Sequence, residues 1–322
     1  MKSSFLILVV VLGCSIDYGI ALDTALETVT KHGKLSVDGI QLVDESGQPF
    51  QIKGMSMFWS VWMPQYWNRA TVHAIRANCH SNLVRAAMAV DYEGYLTDPQ
   101  TQMRMVETVI EAAIAEDIYV IADWHDWAGE SHLQQAQGFF DQISKKYGHY
   151  PHLLYETFNE PLEISWSSVV KPYHEAVIKT IRANDPDNVI LLGNPHYDQE
   201  LDQVAADPIK GQKNIMYTLH FYPVDTKQWL RDRASNVLRQ GIPLFVSEYG
   251  TCAGSGNGTV LPEETQLWYN WLDQNKMSYV NWAVSDKDES ASVMRAGTPP
   301  EQTCADNYLT ESGRIVVAQN KK

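Results

Sequence analysis

Leu153-Leu154-Tyr155-Glu156-Thr157-Phe158-Asn159-Glu160-Pro161 sets the pattern for the whole chain. Residues 153–158 form a short run that fits one buried strand, and hydrogen-bonding and acid–base side chains follow where it stops, at Asn159 and Glu160. Seven other runs of this kind fall over 51–56, 82–87, 119–123, 189–192, 215–220, 244–248 and 279–283. Between them, amphipathic stretches fit helices over 69–77, 99–116, 132–147, 169–183, 201–205, 226–240 and 263–275, and a last helix fits 310–319. Asp185-Pro186-Asp187 and Gly241-Ile242-Pro243 stop two of these helices just before the next strand. Parallel strands covered on both faces read as short continuous apolar runs. Eight of them, each followed by a helix, predict an α/β chain with a single (β/α)8 TIM barrel. Residues 35–43 alternate around Asp38-Gly39 and predict a short N-terminal β-hairpin. The competing architecture, an open doubly wound sheet, lacks its Gly-x-Gly-x-x-Gly turn after any early strand.

The chain has 322 residues, with 39 Asp and Glu against 25 Lys and Arg and a net charge of -14. That balance excludes the basic footprint needed to hold a nucleic-acid backbone. The 10 Trp and 16 Tyr outnumber the 8 Phe, although polar-tipped rings need partners when buried. Lys2, the apolar run over 5–12 and the small residues up to Ala21 have the plan of a secretory signal peptide. Residues 1–21 are therefore expected to be removed, leaving 22–322 as one secreted, extracellular domain. This domain is expected to be monomeric, without a membrane partner. Gly13-Cys14 also fits a bacterial lipid-attachment site, which leaves that alternative open. Of the remaining cysteines, Cys79 falls where a helix hands over to a strand. Cys252 and Cys304 fall in Gly- and Pro-rich loops, so the expected disulfide is Cys252–Cys304. Asn257-Gly258-Thr259 is a glycosylation sequon, usable in a eukaryotic host.

A barrel places its chemistry at the C-terminal ends of the strands. Those ends carry Ser56 with Trp59, then Arg85, His125, Asn159-Glu160, His220 with Tyr222, Glu248 and Trp282. Glu160 and Glu248 close the fourth and seventh runs and can converge on one bond across the mouth. Two such carboxylates, one protonated and one ionised, are the apparatus of glycosidic hydrolysis. Arg85 can hold a carboxylate ionised, Asn159 suits a sugar hydroxyl, and His125 and His220 can donate to either. Seven of the ten Trp (59, 62, 67, 124, 127, 166 and 282) fall at or just beyond strand ends, where sugar faces could stack on them.

These strings resemble glycoside hydrolase family five, in particular its endo-β-1,4-glucanases (cellulases). The matches are Gly54-Met55-Ser56 with Phe58-Trp59, Val84-Arg85-Ala86-Ala87-Met88, Asp123-Trp124-His125 and Phe158-Asn159-Glu160-Pro161. Thr218-Leu219-His220-Phe221-Tyr222, Val246-Ser247-Glu248-Tyr249-Gly250 and Asn281-Trp282-Ala283 with Lys287-Asp288-Glu289-Ser290 follow in the family's order. The resemblance implies that Glu160 is the general acid/base and Glu248 the nucleophile of a retaining double displacement. It also implies that Arg85 and Tyr222 flank the nucleophile, His220 tunes the acid/base, and His125 and Asn159 hold sugar hydroxyls. Trp282 would stack beneath the reacting sugar, while Trp59, Lys287 and Glu289 would meet sugars further along. Many relatives have Trp where this chain has Tyr249 and Tyr197, a departure that bears on the leaving-group side. The implied partner is a β-linked polysaccharide, with no metal and no cofactor.

Mannan, xyloglucan and mixed-linkage glucan remain alternative substrates, since a single hydroxyl's orientation separates them. A non-catalytic carbohydrate-binding barrel is opposed by the presence of both glutamates. A metallo-hydrolase on Asp123, His125, Asp126 and His132 lacks His-Glu-x-x-His spacing. The Gly-rich stretch over 254–258 lacks the Lys-Ser/Thr ending of a phosphate loop.

Overall fold

The structure, a computed structural model, describes residues 28–322. The signal peptide expected over 1–21, and Cys14 with it, lie outside the described residues. Strands β1 (Ser36–Asp38) and β2 (Gln41–Val43) pair antiparallel as the expected hairpin. Eight strands then follow: β3 (Lys53–Met57), β4 (Leu83–Ala89), β5 (Tyr119–His125), β6 (Leu153–Glu156), β7 (Ile190–Leu192), β8 (Ile215–Phe221), β9 (Leu244–Tyr249) and β10 (Tyr279–Val284). All neighbouring pairs among them are parallel, and β10 closes on β3, so the sheet is a complete barrel without an open edge. The (β/α)8 architecture is thus the observed one.

Helices α1 (Val29–His32), α2 (Arg69–Ala77), α3 (Pro99–Ala115), α4 (Leu133–Tyr147) and α5 (Lys171–Arg182) come first in the chain. Then come α6 (Pro195–Asp198), α7 (Leu201–Ala206), α8 (Gln228–Arg239), α9 (Pro262–Gln274) and α10 (Glu311–Asn320). Several start on a capping side chain. Asn68 accepts from the Thr71 amide, Asp98 from that of Thr101 with Pro99 next, and Thr310 from that of Gly313. Each cap satisfies a donor the first turn leaves free. The helix expected over 169–183 starts two residues late. A π-helical turn, Trp166–Val170, precedes it and buries Trp166.

Alternation along the strands builds the site. In β4 and β5 every residue is buried, yet the two faces meet different surroundings. Val84, Ala86, Val120 and Ala122 pack outward beneath the helices. Leu83, Tyr119 and Ile121 point inward to a lower plug that also takes Leu154, Leu191, Met216 and Phe245. The next inward positions up these strands are Arg85, Asp123 and His125, so the interior changes from hydrocarbon to hydrogen-bonding groups within one or two residues. Strand β9 departs from strict alternation. Its pairing with β8 shifts between Thr218↔Phe245 and His220↔Glu248, so three steps along β9 match two along β8. This bulge lets two consecutive side chains, Ser247 and Glu248, both reach interior partners.

The disulfide differs from the expectation. Cys304 pairs with Cys79, with Cα atoms 5.2 Å apart, and Cys252 is a free, buried thiol. Cys79 follows α2 and meets Cys304 in the loop before α10. Cys252 follows β9 and sits among Phe58, Tyr222 and Trp282 in a third cluster at the mouth. Its place in a Gly-rich loop suggested a partner in Cys304, but the aromatic roof buries Cys252 as a thiol, and burial pushes that thiol up to about 11.

Candidate active site

Arg85 organises the mouth of the barrel. Its guanidinium is fully buried and spends its donors on side chains from four other segments. Nε donates to Glu156 Oε2 at 2.7 Å, and Nη1 to Glu248 Oε2 at 2.9 Å. Nη2 donates to Asn159 Oδ1 at 2.6 Å and pairs with Asp123 Oδ2 at 2.9 Å. Burial disfavours the charge, but Asp123, Glu156 and Glu248 outweigh it and hold the guanidinium firmly protonated. In return, and against its own burial, Glu156 is drawn from 4.5 to about 2 by Arg85 and by His220.

Glu248 takes a second hydrogen bond, from the Tyr222 hydroxyl at 2.7 Å, so each of its oxygens has a donor. Tyr222 can lie there because position 250 is glycine; a Cβ on Gly250 would come within 2.4 Å of the Tyr222 ring. Glu160 follows β6 and accepts from Trp127 Nε1 at 3.1 Å, while its Oε1 lies 2.9 Å from His220 Nδ1. Burial raises the Glu160 carboxyl, but the hydrogen bond and charge of His220 prevail and hold it below its usual range. The His220 Nε2 meets Ser247 Oγ at 2.9 Å. An oxygen of Glu160, a nitrogen of His220 and an oxygen of Glu248 lie within 4.8 Å of one another. That spacing could grip a cation, yet both ring nitrogens of His220 and both Glu248 oxygens are already engaged with side chains.

His125 is buried, and its Nδ1 lies 2.7 Å from Asp123 Oδ2. Burial, reinforced by Arg85, lowers its pKa to about 3, so the ring is neutral, donates to Asp123 and keeps Nε2 as an acceptor. It stacks flat on Trp282 at 5.1 Å and meets the face or edge of Trp59 at 4.5 Å. Two cavities of about 360 and 250 Å³ share Trp127, Glu160, Tyr222 and Ser255, and so form one groove over the glutamates. One arm is lined by Trp59, Trp62, Trp282, Lys287 and Glu289, and the other by Tyr197, Gln199 and Asp225. Lys287 and Glu289 pair with each other at 2.7 Å.

All twelve catalytic, support and substrate-binding residues expected from the sequence therefore meet at this groove or in the shell directly beneath it. Three of the seven strand-end Trp do not. Trp67, Trp124 and Trp166 are buried in the main core, each with its N–H bonded, to Phe58 O, Asp126 Oδ2 and Asp207 O respectively. Counting from a strand end locates a ring along the barrel axis but not which face it takes. Tyr249, flagged as a departure at the leaving-group side, is likewise a core residue stacked on Phe221. Sequence reasoning missed Glu156, Ser247 and Asp198 as members of the site. An acidic residue inside an apolar run was the available signal for Glu156.

Comparison with known proteins agrees with this arrangement. The sequence profile described as "Cellulase (glycosyl hydrolase family 5)" matches residues 43–288. Endoglucanase Z of Dickeya dadantii is 42% identical over 287 residues, an alignment covering 88% of this chain and 65% of that protein. A solved structure from Cytophaga hutchinsonii superposes with a TM-score of 0.89 at 47% identity, covering 91% of this chain and 96% of that one. The catalytic domain of Thermobifida fusca endoglucanase, solved in complex with cellotetraose, superposes with a TM-score of 0.88 at 29% identity. That match covers 91% of this chain and 99% of the other. With the family's sequence profile spanning most of the barrel and the paired glutamates at its mouth, the chain belongs to glycosyl hydrolase family 5.

Proposed function

We propose that the protein is a secreted endo-β-1,4-glucanase that hydrolyses internal bonds of cellulose or related β-glucans with retention of configuration. The observation that carries this reading is the close pair of carboxylates in a groove lined by aromatic rings. Oxygens of Glu160 and Glu248 lie within 4.8 Å of each other. That proximity fits the separation of about 5–5.5 Å used in double displacement, and not the 6.5–9.5 Å or so needed to seat a water for inversion. The cellotetraose bound by the Thermobifida fusca domain supports a β-glucan as the ligand class.

Glu248 attacks the anomeric carbon while Glu160 protonates the departing oxygen. Water, deprotonated by Glu160, then releases the sugar from Glu248. Arg85 and Tyr222 orient Glu248 and stabilise its negative charge before attack. His125 and Asn159 meet hydroxyls of the sugar seated on Trp282, and Trp59, Lys287 and Glu289 extend that arm of the groove. Tyr197 lines the leaving-group arm. The signal expected over residues 1–21 and the Cys79–Cys304 bridge both suit an oxidising, extracellular setting.

Glu248→Gln is expected to abolish turnover on carboxymethyl-cellulose with a melting temperature near wild type. Viscosity should fall ahead of reducing-end release in the wild type, and NMR should show the β-anomer of the new end first. Substantial residual activity in the variant, or the α-anomer first, would refute the reading.

A further inference from the structure

The segment that delivers Tyr197 to the groove is conformationally unusual. His196, Tyr197 and Asp198 all take left-handed backbone angles, with φ of 59°, 55° and 61°. None is glycine, and a left-handed backbone at such residues is strained unless their surroundings impose the shape. The surroundings do so. The His196 and Tyr197 amides donate to Leu162 O and Pro161 O, both at 3.1 Å, zipping the turn onto the backbone that leaves Glu160. The Asp198 amide donates to Asn194 O at 3.0 Å, and the Asn194 amide donates back to Asp198 Oδ1.

The other Asp198 oxygen is the informative one. Asp198 is fully buried, and its Oδ2 makes no well-formed hydrogen bond among the described residues. It lies 3.2 Å from His220 Nε2, on the side of the ring away from Glu160. The charged groups facing His220 come from several elements: Glu156 of β6 at 3.9 Å, Glu160, Asp198, Glu248 of β9, and Asp123 and Arg85 beyond them. Arg85 already holds Asp123, Glu156 and Glu248 at 2.7–2.9 Å. Asp198 has no contact with Arg85 and so has the His220 ring as its counter-charge. Burial would strip His220 of its proton, and Asp198 is foremost among the groups that overcome this and keep it charged. Burial also pushes the Asp198 carboxyl up, while the charge of the His220 ring opposes it.

We propose that Asp198 is a positioning residue for catalysis, which orients and charges His220 from behind and so governs how readily Glu160 holds the proton it must donate. The proposal rests on the reading of Glu160 as the acid/base. One buried side chain thereby serves two ends: through His220 it reaches the acid/base, and through its own backbone it fixes the turn that presents Tyr197 to the leaving group.

Asp198→Asn keeps the side chain's shape and removes its charge. Without that charge the ring releases its proton more readily, Glu160 loses a neighbouring cation and retains its own proton to higher pH. The alkaline limb of the kcat/KM profile on cellopentaose should therefore move to higher pH while the acid limb stays. In ¹⁵N-histidine NMR, the His220 ring, assigned by difference with His220→Gln, should change from doubly protonated to neutral at the same pH. On a His220→Gln background, Asp198→Asn should move the limb no further. Asp198→Ser serves if the Asn variant does not fold. An unmoved limb with an unchanged ring signal would overturn the proposal. Glu160→Ala separates it from the underlying reading. That variant should keep activity on an aryl cellobioside with an activated leaving group while losing it on glucan. If it loses both equally, the acid/base assignment falls, and the ring signal in Asp198→Asn still judges the link between Asp198 and His220.

Discussion

Replacing Arg85 by Met tests whether one buried cation holds the mouth of the barrel together. The methionine roughly fills the volume but leaves Asp123, Glu156 and Glu248 without the partner they share. For Glu156 alone, a displacement from 4.5 to about 2 corresponds to about 3 kcal/mol of stability at neutral pH. The sign follows from the direction of that displacement. A carboxyl lowered by folding contributes fully above pH 4.5 and loses that contribution as pH falls through about 2. In the variant the same carboxyl is buried without its cation, so burial raises it, and acid relieves the cost. Breaking a buried pair costs about 3–5 kcal/mol, and a domain of this size loses roughly 2–4 °C per kcal/mol. Thermal melts followed by circular dichroism should show Arg85→Met about 6–20 °C below wild type at pH 7, with the gap narrowing toward pH 4. A gap of constant size across that range would mean that only packing had been lost, and the electrostatic account would be wrong.

Other consequences can be checked alongside it. Cys304→Ser should lower the unfolding free energy by about 2–5 kcal/mol, because it releases a cross-link spanning 225 residues, whereas Cys252→Ala should cost less. Denaturant melts with and without reductant distinguish the two. Trp62→Ala should raise KM on cello-oligosaccharides and leave the melting temperature nearly unchanged, since that ring is 45% exposed on the groove. Trp166→Ala should do the reverse, costing about 3–5 kcal/mol in a denaturant melt as a core cavity opens.

The barrel was legible because strands covered on both faces leave continuous apolar runs, and these ran where β3 to β10 now lie. Glu160 and Glu248 were legible because each closes such a run, where a carboxylate needs a reason to be. The residues that evaded reading share a physical cause. Glu156 sits inside its strand, and its inward direction depends on alternation fixed only once the barrel closes. Ser247 reaches the site through a bulge, a one-residue departure that composition does not announce. Asp198 lies in Pro195–Asp198, which has no periodicity and whose left-handed turn over His196–Asp198 is imposed by contacts to Pro161 and Leu162. The cysteine pairing failed for a related reason: loop composition does not say which distant segment crosses which helix.

The bulge in β9 bears on how this barrel could be altered. Because His220 faces Glu248 directly across the β8–β9 pairing, their alignment is fixed by counting residues along two strands, without help from any loop. The two arms of the groove, by contrast, are furnished largely from loops beyond the strand ends, where Trp62, Tyr197 and Lys287 sit. Length changes in those loops can therefore retune which glucan is gripped while the reacting pair keeps its spacing. Deleting a single residue from β9 between Phe245 and Glu248 would do the opposite. It would restore strict alternation, keeping Glu248 on the inward face with Phe245 but withdrawing Ser247 from His220 Nε2, and so change the setting of the acid/base while leaving the groove intact; the tolerance of this scaffold to remodelling is thus divided between its strands and its loops.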